Sequence, residues 1–231
     1  MLARPSHPCP LPAPPDPSPP DWLCHVDDHL AVADKPAGLL SVPGRGPDKA
    51  DCLAARVAAR LPDALVVHRL DMGTSGLMAF GRGPAMQRLL SIAFAQRRVH
   101  KLYEAVVAGR PAADSGEISL PLIVDWPNRP RQMVCHQRGK PSLTRWRLLS
   151  HDAAAGTSRL ALEPVTGRSH QLRLHLAAIG HAILGDELYA PPEWHAASPR
   201  LLLHACRLEL PALDLDGLTL PARRFDSPVP F

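Results

Sequence analysis

The sequence lacks long apolar runs. Among its 231 residues, no stretch approaches the roughly eighteen uninterrupted apolar residues that a membrane-spanning helix requires. The first residues, Met1–Pro5, also lack the apolar core of a secretory signal. We therefore expect a protein without a membrane partner. A hydrophobic content of 45% is enough to fill the core of one sizeable domain.

Cysteine is sparse and irregularly placed. None of the five cysteines forms a Cys-x-x-Cys pair; they are Cys9, Cys24, Cys52, Cys135 and Cys206. An odd number at irregular spacing does not fit a disulfide framework. We therefore expect reduced thiols and a cytoplasmic protein.

Large apolar side chains are nearly absent from residues 1–21, which are instead rich in proline. Such a segment cannot bury enough surface to offset the entropy lost on ordering. The composition changes at Trp22, where apolar and β-branched residues become frequent. We predict a disordered tail over residues 1–21 and one folded domain over residues 22–231.

Acidic residues are absent from residues 128–147, which carry six cations. These are Arg129, Arg131, Arg138, Lys140, Arg145 and Arg147. The net charge of the whole chain is only +4, so the positive excess lies in this stretch. Such a placement is typical of a protein that binds a polyanion along one face. A solvated loop with a chance cluster of charges is the alternative.

The most specific stretch is residues 68–76, which read His-Arg-Leu-Asp-Met-Gly-Thr-Ser-Gly. It lies between two apolar runs, Ala64–Val67 and Leu77–Phe80, that we predict to be strands. Asp71 would thus lie at the mouth between two strands, where a rigid frame can hold a reactive group. Taken alone, the stretch favours a turn-forming aspartate. It is one residue too short for a hydrolase nucleophile elbow.

Residues 68–76 resemble the His-Arg-Leu-Asp-x-x-Thr-Ser-Gly signature of the RluA family of RNA pseudouridine synthases. Further segments resemble this family in the same order: Lys35–Gly38, Lys101–Val107, Thr166–His175, Gly180–Asp186 and Leu201–Ala205, with departures at Ser169, Leu172 and Ala182. The resemblance makes residues 22–231 a catalytic domain. In many relatives an S4-type RNA-binding domain precedes the catalytic domain, and we expect no such domain here because residues 1–21 are too few to form it.

The resemblance implies roles for four residues. Asp71 would be the essential catalytic carboxylate, and Arg173 would lie against it. A cation at that distance favours the ionised form of a carboxylate. Tyr103 would pack against a uridine flipped out of its stack, and Arg69 would fill the space that the base leaves. Taken alone, the segment around Tyr103 favours an ordinary core tyrosine.

Three histidines, His170, His175 and His181, raise the alternative of a zinc site. Their spacing is not His-Glu-x-x-His, and no carboxylate ligand accompanies them. The family that the sequence resembles uses no metal. Its reaction also needs no cofactor, because it is an isomerisation within one nucleotide. We therefore expect neither a metal nor a cofactor.

Residues 121–131 and 139–141 resemble one subgroup, the dual-specificity enzymes. Their targets are a uridine-32-type site in tRNA anticodon loops and a uridine-746-type site in large-subunit rRNA, so the resemblance implies RNA stem-loops as partners. The candidates for neutralising RNA phosphates are Arg129, Arg131 and Lys140. Trp126 and Trp146 are either stacking faces for bases or core residues.

The resemblance implies an α/β (α+β) fold with a mixed, mainly antiparallel central sheet, flanking helices and a central active-site cleft. It implies a monomeric RNA pseudouridine synthase. A non-catalytic RNA-binding module is the alternative, but it would not need Asp71, Tyr103 and Arg173 together. A glycoside hydrolase would need a second carboxylate, and we expect none in the matched segments.

Local patterns predict three helices. Residues 84–94 carry an apolar stripe formed by Met86, Leu89, Leu90 and Ala93. A helix that runs to about Leu61 would be capped by Asp48 or Asp51. A third helix, capped by Ser169 and ending at Gly180, would bury Leu172, Leu176 and Ile179.

Overall fold

The structure is a computed structural model that describes residues 22–46 and 49–231. The predicted tail, residues 1–21, and the predicted cap Asp48 lie outside the described residues. Within the described residues, no helix is long and apolar enough to cross a membrane.

The described residues form a large sheet, two small hairpins and four helices. In chain order the elements are β1 (Leu23–Val26), β2 (Leu30–Lys35), α1 (Leu53–Arg60), β3 (Ala64–Val66), β4 (Ser75–Arg82), α2 (Gly83–Ala95), β5 (His100–Ala108), β6 (Ser115–Ser119), β7 (Leu122–Val124), β8 (Gln132–Val134), β9 (Leu143–Asp152), β10 (Thr157–Pro164), α3 (Gln171–Ala178), α4 (Pro192–Ala196), β11 (Leu203–Leu210), β12 (Leu213–Leu215), β13 (Leu218–Leu220) and β14 (Arg223–Asp226).

The large sheet has ten strands. Eight of them follow the order β1-β2-β4-β11-β5-β10-β9-β6, while β3 pairs with β4 and β14 pairs with β11. Every pairing is antiparallel except that between β4 and β11. The prediction of a mixed, mainly antiparallel central sheet is therefore confirmed.

The parallel pairing of β4 with β11 is short and lies in the middle of the sheet. It joins Ser75 to His204 and Gly76 to Ala205. Gly76 has a φ of +115°, and a Cβ at this position would lie 2.4 Å from the carbonyl oxygen of Ala205. Only glycine fits here, because a side chain would collide with the neighbouring backbone. This junction places the loop that precedes β4 at the centre of the sheet.

Strand alternation divides the core between the two faces of the sheet. Along β4, Leu77 and Ala79 pack in one cluster with α2, whereas Met78 and Phe80 pack in another with α1. The predicted helix over residues 84–94 corresponds to α2, and all four residues of its predicted stripe are buried. A third cluster joins α3 to β5 and β10, on the other side of the parallel junction.

Two predicted helix caps are wrong. The N-cap of α1 is Cys52, whose Sγ accepts a hydrogen bond from the Ala55 amide at 3.3 Å, whereas Asp51 pairs with Arg56. The N-cap of α3 is His170, in the left-handed region at φ +54°, and it makes no side-chain cap. The hydroxyl of Ser169 instead accepts a hydrogen bond from Arg69 at 3.4 Å.

The predicted buried stripe of α3 is only partly right. Leu172 and Leu176 are buried, but Ile179 is 38% exposed. The helix ends at Ala178, and Gly180 turns the chain with a φ of +85°. Ile179 therefore lies past the last helical turn, where the periodicity no longer directs its side chain to the core.

Candidate active site

The loop that carries Asp71, residues 68–74, is held by the segment that follows β2. The Lys35 Nζ and the Gly38 amide both donate to the carbonyl of Met72, at 3.0 and 2.9 Å. The Ser41 hydroxyl donates to the carbonyl of Leu70 at 2.6 Å and accepts from its amide at 3.0 Å. The residues on both sides of Asp71 are thus fixed through their backbones.

Lys35 is a fully buried cation under this loop. Its Nζ also donates to the carbonyls of Pro36 and Leu39, at 2.9 and 2.7 Å, so all three of its donors are used. Burial lowers the pKa of Lys35 to about 8, although the nearby Asp71 charge opposes this shift. Lys35 belongs to a segment that matches the family, yet sequence reasoning gave it no role. The matched Lys-Pro-x-Gly pattern was the signal that could have pointed to it.

The Asp71 carboxylate is partly exposed, at 27% of its side chain, and lies between two nitrogen groups. Its Oδ2 lies 3.9 Å from Nη1 of Arg173, and its Oδ1 lies 4.0 Å from Nε2 of His170. Both distances are longer than a hydrogen bond. The structure therefore places Arg173 beside Asp71, as expected, but leaves room for the two groups to approach further.

Arg173 makes its short contacts with a different carboxylate, that of Asp186. Its Nε and Nη2 donate to the two carboxylate oxygens at 2.8 and 2.6 Å, and both side chains are buried. Asp186 also accepts from the amides of Leu188 and Tyr189, at 2.9 and 3.1 Å. Burial disfavours the Arg173 cation, but the bonds to Asp186 outweigh this effect and raise the pKa of Arg173.

The expectation that the matched segments hold no second carboxylate near Asp71 is therefore wrong. Asp186 belongs to the matched segment Gly180–Asp186 and lies on the far side of Arg173 from Asp71. Its oxygens are occupied by four hydrogen bonds, and its side chain has no exposed surface. It cannot activate a water as the second carboxylate of a glycoside hydrolase does.

Tyr189 connects this site to the β7–β8 hairpin, and sequence reasoning missed it. Its hydroxyl accepts from the Gln132 amide in β8 at 2.7 Å and bonds to Nδ1 of His170 at 2.8 Å. The Arg173 guanidinium lies over its ring, 5.3 Å from the centroid. Burial lowers the pKa of His170, so the imidazole beside Asp71 is neutral at physiological pH.

A cavity of about 620 Å³, called here the first cavity, opens beside Asp71. The four residues that the family resemblance assigned to the active site all line it: Arg69, Asp71, Tyr103 and Arg173. Lys101 lines it as well, so Lys101 and Tyr103 face the same side of β5. Burial and the Asp71 charge raise the pKa of Tyr103, whose phenol therefore stays neutral.

A second cavity, of about 1160 Å³, adjoins the first and shares Arg69, Asp71 and Arg173 with it. Its other walls come from the segment after β2, the β7–β8 hairpin and the segment between α4 and β11. Arg129 lines this cavity. Arg131 lies outside it, with its guanidinium 5.4 Å from the centroid of the Tyr189 ring.

The other cations of the basic stretch are dispersed. Lys140 is exposed and borders neither of these two cavities, although its backbone pairs with that of Leu122. Arg145 donates to Glu117 at 2.8 Å on the far edge of the sheet. Lys140 and Arg145 thus lie apart from the second cavity, which Arg129 lines.

The two tryptophans of this stretch have different environments. Trp126 is 65% exposed, and the Arg129 guanidinium lies 4.2 Å from the centroid of its ring. Trp146 packs against the core cluster of β5, β10 and α3. Trp126 therefore presents a face that a base can reach, whereas Trp146 is mainly a packing residue.

The three histidines that raised the zinc alternative bond to protein groups in different places. Nδ1 of His175 bonds to the Thr144 hydroxyl at 2.9 Å, and Nδ1 of His181 donates to the carbonyl of Ala108 at 2.8 Å. His170 bonds to Tyr189. Within residues 22–46 and 49–231, no group of three or more His, Cys, Asp or Glu residues is placed to hold a metal ion.

Comparison with known proteins decides the family. Residues 29–178 match the model of the family described as RNA pseudouridylate synthase. The chain belongs to this family. It is 50% identical over 186 residues to the dual-specificity RNA pseudouridine synthase RluA of Pasteurella multocida (strain Pm70) and to that of Escherichia coli (strain K12), covering 80% of this chain and 84% of each relative.

A solved structure shows the same relationship. Human RNA pseudouridylate synthase domain containing 1 superposes with a TM-score of 0.74 at 28% identity, covering 90% of this chain and 83% of that chain. The predictions of RluA-family membership and of an enzyme, an RNA pseudouridine synthase, are thus confirmed. The alternative of a non-catalytic RNA-binding module is not supported.

Proposed function

We propose that this pseudouridine synthase acts on uridines in short loops of two RNAs, a uridine-32-type site in tRNA anticodon loops and a uridine-746-type site in large-subunit rRNA. Support comes from the relatives that are named dual-specificity enzymes at 50% identity. A uridine in a short loop also costs less to extrude than one in a duplex.

The first cavity is the proposed site of the extruded uridine. The observation that carries this proposal is the meeting of Arg69, Asp71, Tyr103 and Arg173 around one cavity, although they come from three separate segments of the chain. The Tyr103 ring would replace the stacking that the base loses. Arg69 is exposed at the cavity mouth and would fill the space left in the RNA loop.

Asp71 is the proposed catalytic residue. The reaction breaks the C1′–N1 bond, turns the base and forms a C1′–C5 bond; N1 gains a proton and C5 loses one. Cleavage of the glycosidic bond develops positive charge at C1′, which a carboxylate can stabilise or attack. Arg173 and His170 lie on either side of the carboxylate and would keep it aimed at the sugar.

The proposed enzyme is a cytoplasmic monomer whose catalytic domain is residues 22–231, and it uses no metal or cofactor. The proposed site residues all come from a single chain, so a second copy is not needed to complete the site. The isomerisation exchanges no atoms with another molecule. The proposed phosphate-binding residues are Arg129, which lines the second cavity, and Arg131 and Lys140, which border neither cavity.

The proposal is tested by mapping pseudouridine in tRNA and large-subunit rRNA from cells with and without this protein. We expect pseudouridine to be lost at one anticodon-loop site and one rRNA loop site. Purified protein should restore both modifications on transcribed stem-loops without added metal. Loss at some other uridine alone would refute the proposed targets, and no loss anywhere would refute the activity in these cells.

A further inference from the structure

The second cavity contains a cation, Arg200, to which nothing above gives a role. It lies in the segment between α4 and β11 and is partly buried. Its Nη2 donates to the Ser75 hydroxyl at 2.5 Å, and its Nε donates to the carbonyl of Leu201 at 3.4 Å. Among the ion pairs formed by the described residues, none involves Arg200.

A chain of buried side chains holds this guanidinium in place. The Ser227 hydroxyl donates to the carboxylate of Asp34, so its oxygen must accept from Nε2 of His204, at 2.9 Å. Nδ1 of His204 then carries no proton and accepts from the Ser75 hydroxyl, at 2.8 Å. The oxygen of Ser75 in turn accepts from Arg200.

Each hydroxyl in this chain both donates and accepts, so the direction of every bond is fixed by the charge of Asp34 at its far end. Ser75, His204 and Ser227 are all less than 10% exposed. The chain crosses the parallel junction between β4 and β11, where Ser75 pairs with His204. The Arg200 guanidinium, which also lies 5.5 Å from the centroid of the Phe231 ring, is therefore held in a fixed place at the cavity that Arg200 lines.

Arg200 differs from Arg173 and Arg129, which also line this cavity. Arg173 is neutralised by Asp186, and Arg129 lies exposed over Trp126. Arg200 is partly desolvated and bonds only to neutral groups. Burial lowers the pKa of its guanidinium, although Asp34 opposes this shift. A partly buried cation held in place without a counter-ion is a site for an anion.

We infer that Arg200 binds a backbone phosphate of the RNA, in the second cavity, beside the nucleotide whose base occupies the first cavity. The inference rests on the proposed function. The two cavities share Arg69 and Asp71, so a strand that delivers a uridine to the first cavity passes through the second. Lys49 and Arg129, on other walls of the same cavity, make its field favourable for a polyanion.

The first test measures how RNA binding depends on salt. The protein carries Asp71→Asn throughout, so that bound RNA is not converted, and the probe is a transcribed tRNA anticodon stem-loop. Arg200→Gln should weaken binding about tenfold, as expected for the loss of a charge-assisted bond. It should also reduce the slope of log Kd against log salt by about 0.7 to 1 unit.

Arg88→Gln is the matched control for this measurement. It removes the same charge from an exposed position on α2, where Arg88 pairs with the exposed Asp216 at 3.5 Å. Arg88 lines neither cavity. This variant should leave both the affinity and the salt slope within error of the parent. An unchanged slope in Arg200→Gln, or an equal change in Arg88→Gln, overturns the inference.

The second test locates the phosphate. Stem-loops with a single neutral methylphosphonate, at each position around the target uridine in turn, are bound to the parent and to Arg200→Gln. One position should weaken binding to the parent about tenfold and have little effect on Arg200→Gln, because the partner is already missing. If each methylphosphonate weakens binding equally in the two proteins, Arg200 contacts no phosphate and has only a structural role.

Ser75→Ala separates orientation from charge. It removes the hydroxyl that orients Arg200 but keeps the cation, so binding should weaken while the salt slope stays that of the parent.

Failure of this inference is distinguishable from failure of the proposed function. If the enzyme that retains Asp71 forms pseudouridine but Arg200→Gln leaves the salt slope of RNA binding unaltered, only the phosphate site is refuted. If Arg200→Gln lowers the salt slope of RNA binding but the enzyme that retains Asp71 forms no pseudouridine, only the activity is refuted.

Discussion

Arg173 binds Asp186 more closely than it faces Asp71. Two hydrogen bonds of 2.6 and 2.8 Å join it to Asp186, whereas Nη1 lies 3.9 Å from the Asp71 carboxylate. Asp186 therefore fixes the guanidinium through Nε and Nη2, and Nη1 remains on the side that faces Asp71. An arginine held in this way keeps its position when the charge on Asp71 changes during a reaction.

The catalytic assignment predicts the effect of Asp71→Asn. This change removes the charge but keeps the shape, so we expect isomerisation to fall by about 10⁴-fold or more while RNA binding persists. The measurement is single-turnover pseudouridine formation together with equilibrium RNA binding. Asp51→Asn, which alters an exposed surface pair with Arg56, should retain parental activity. Near-parental activity of Asp71→Asn would refute the assignment.

The buried pair predicts a stability loss in Asp186→Asn. The change leaves the Arg173 cation buried without its counter-ion, and such a loss costs about 3–5 kcal/mol of unfolding free energy. Activity should fall as well, because Arg173 loses the group that holds it. Urea unfolding measures the first effect. Glu117→Gln removes the exposed partner of Arg145 and should cause little change. Equal stabilities of the two variants would contradict the prediction.

Tyr189→Phe should loosen the link between the β7–β8 hairpin and the active site. It keeps the ring but leaves the Gln132 amide and Nδ1 of His170 without their partner, at a cost of about 1–3 kcal/mol. Hydrogen exchange should accelerate at the Gln132 amide. The Arg131 amide, which bonds to Asn128 inside the hairpin turn, is the internal control. Unchanged protection of Gln132 would show that the hydroxyl does not hold the hairpin.

The positions of the basic residues predict unequal effects on RNA binding. Arg129→Ala should reduce the salt slope of binding by about one unit for both RNA stem-loops, because Arg129 lines the second cavity. Arg131→Ala should do the same from its position over Tyr189. Lys140→Ala should have a smaller effect, because Lys140 borders neither cavity. Equal slopes for all three variants would mean that the hairpin binds RNA as a diffuse patch.

His68 predicts a loss of stability in acid. Its Nε2 accepts from the Ala79 amide at 2.9 Å, and burial, with the charge of Lys101, lowers its pKa to about 3. Between about pH 6.5 and 3 the unfolded chain therefore binds more protons, so the unfolding free energy contributed by His68 falls as the pH falls. Above that range the contribution is complete.

The comparison that checks this prediction is chemical unfolding of the parent and of His68→Gln across the same pH range. A glutamine can still accept from the Ala79 amide but does not titrate. The variant should therefore lose less stability than the parent between pH 6.5 and 3. Parallel losses in both proteins would show that other groups account for the acid sensitivity.

The sequence predicted local structure well wherever one pattern was enough. The strand at Leu77–Phe80 and the apolar stripe of the helix over residues 84–94 appear as predicted, in β4 and α2, because each depends on a local apolar pattern alone. Helix caps were less predictable. The N-caps are Cys52 and His170, and the path of the backbone into each helix determines these positions, whereas side-chain preference would have favoured Asp or Ser.

The site was predictable in its members but not in its contacts. Family resemblance named Arg69, Asp71, Tyr103 and Arg173, and they do meet at one cavity. It did not show that Arg173 binds Asp186 or that Tyr189 bonds to Gln132 across 57 positions of sequence. Such contacts depend on how the two halves of the sheet approach each other, which no local pattern records.

The short parallel pairing of β4 with β11 has a consequence for folding. Ser75 and His204 are separated by 129 positions. Closing so long a loop costs entropy before any contact between the two strands stabilises it. Each half of the sheet can gain its own hairpins and helices first, through contacts that are nearer in sequence. The two cavities exist only once the halves are joined, so a chain that has folded one half alone has no catalytic site. Activity is therefore a reporter of complete folding in this protein.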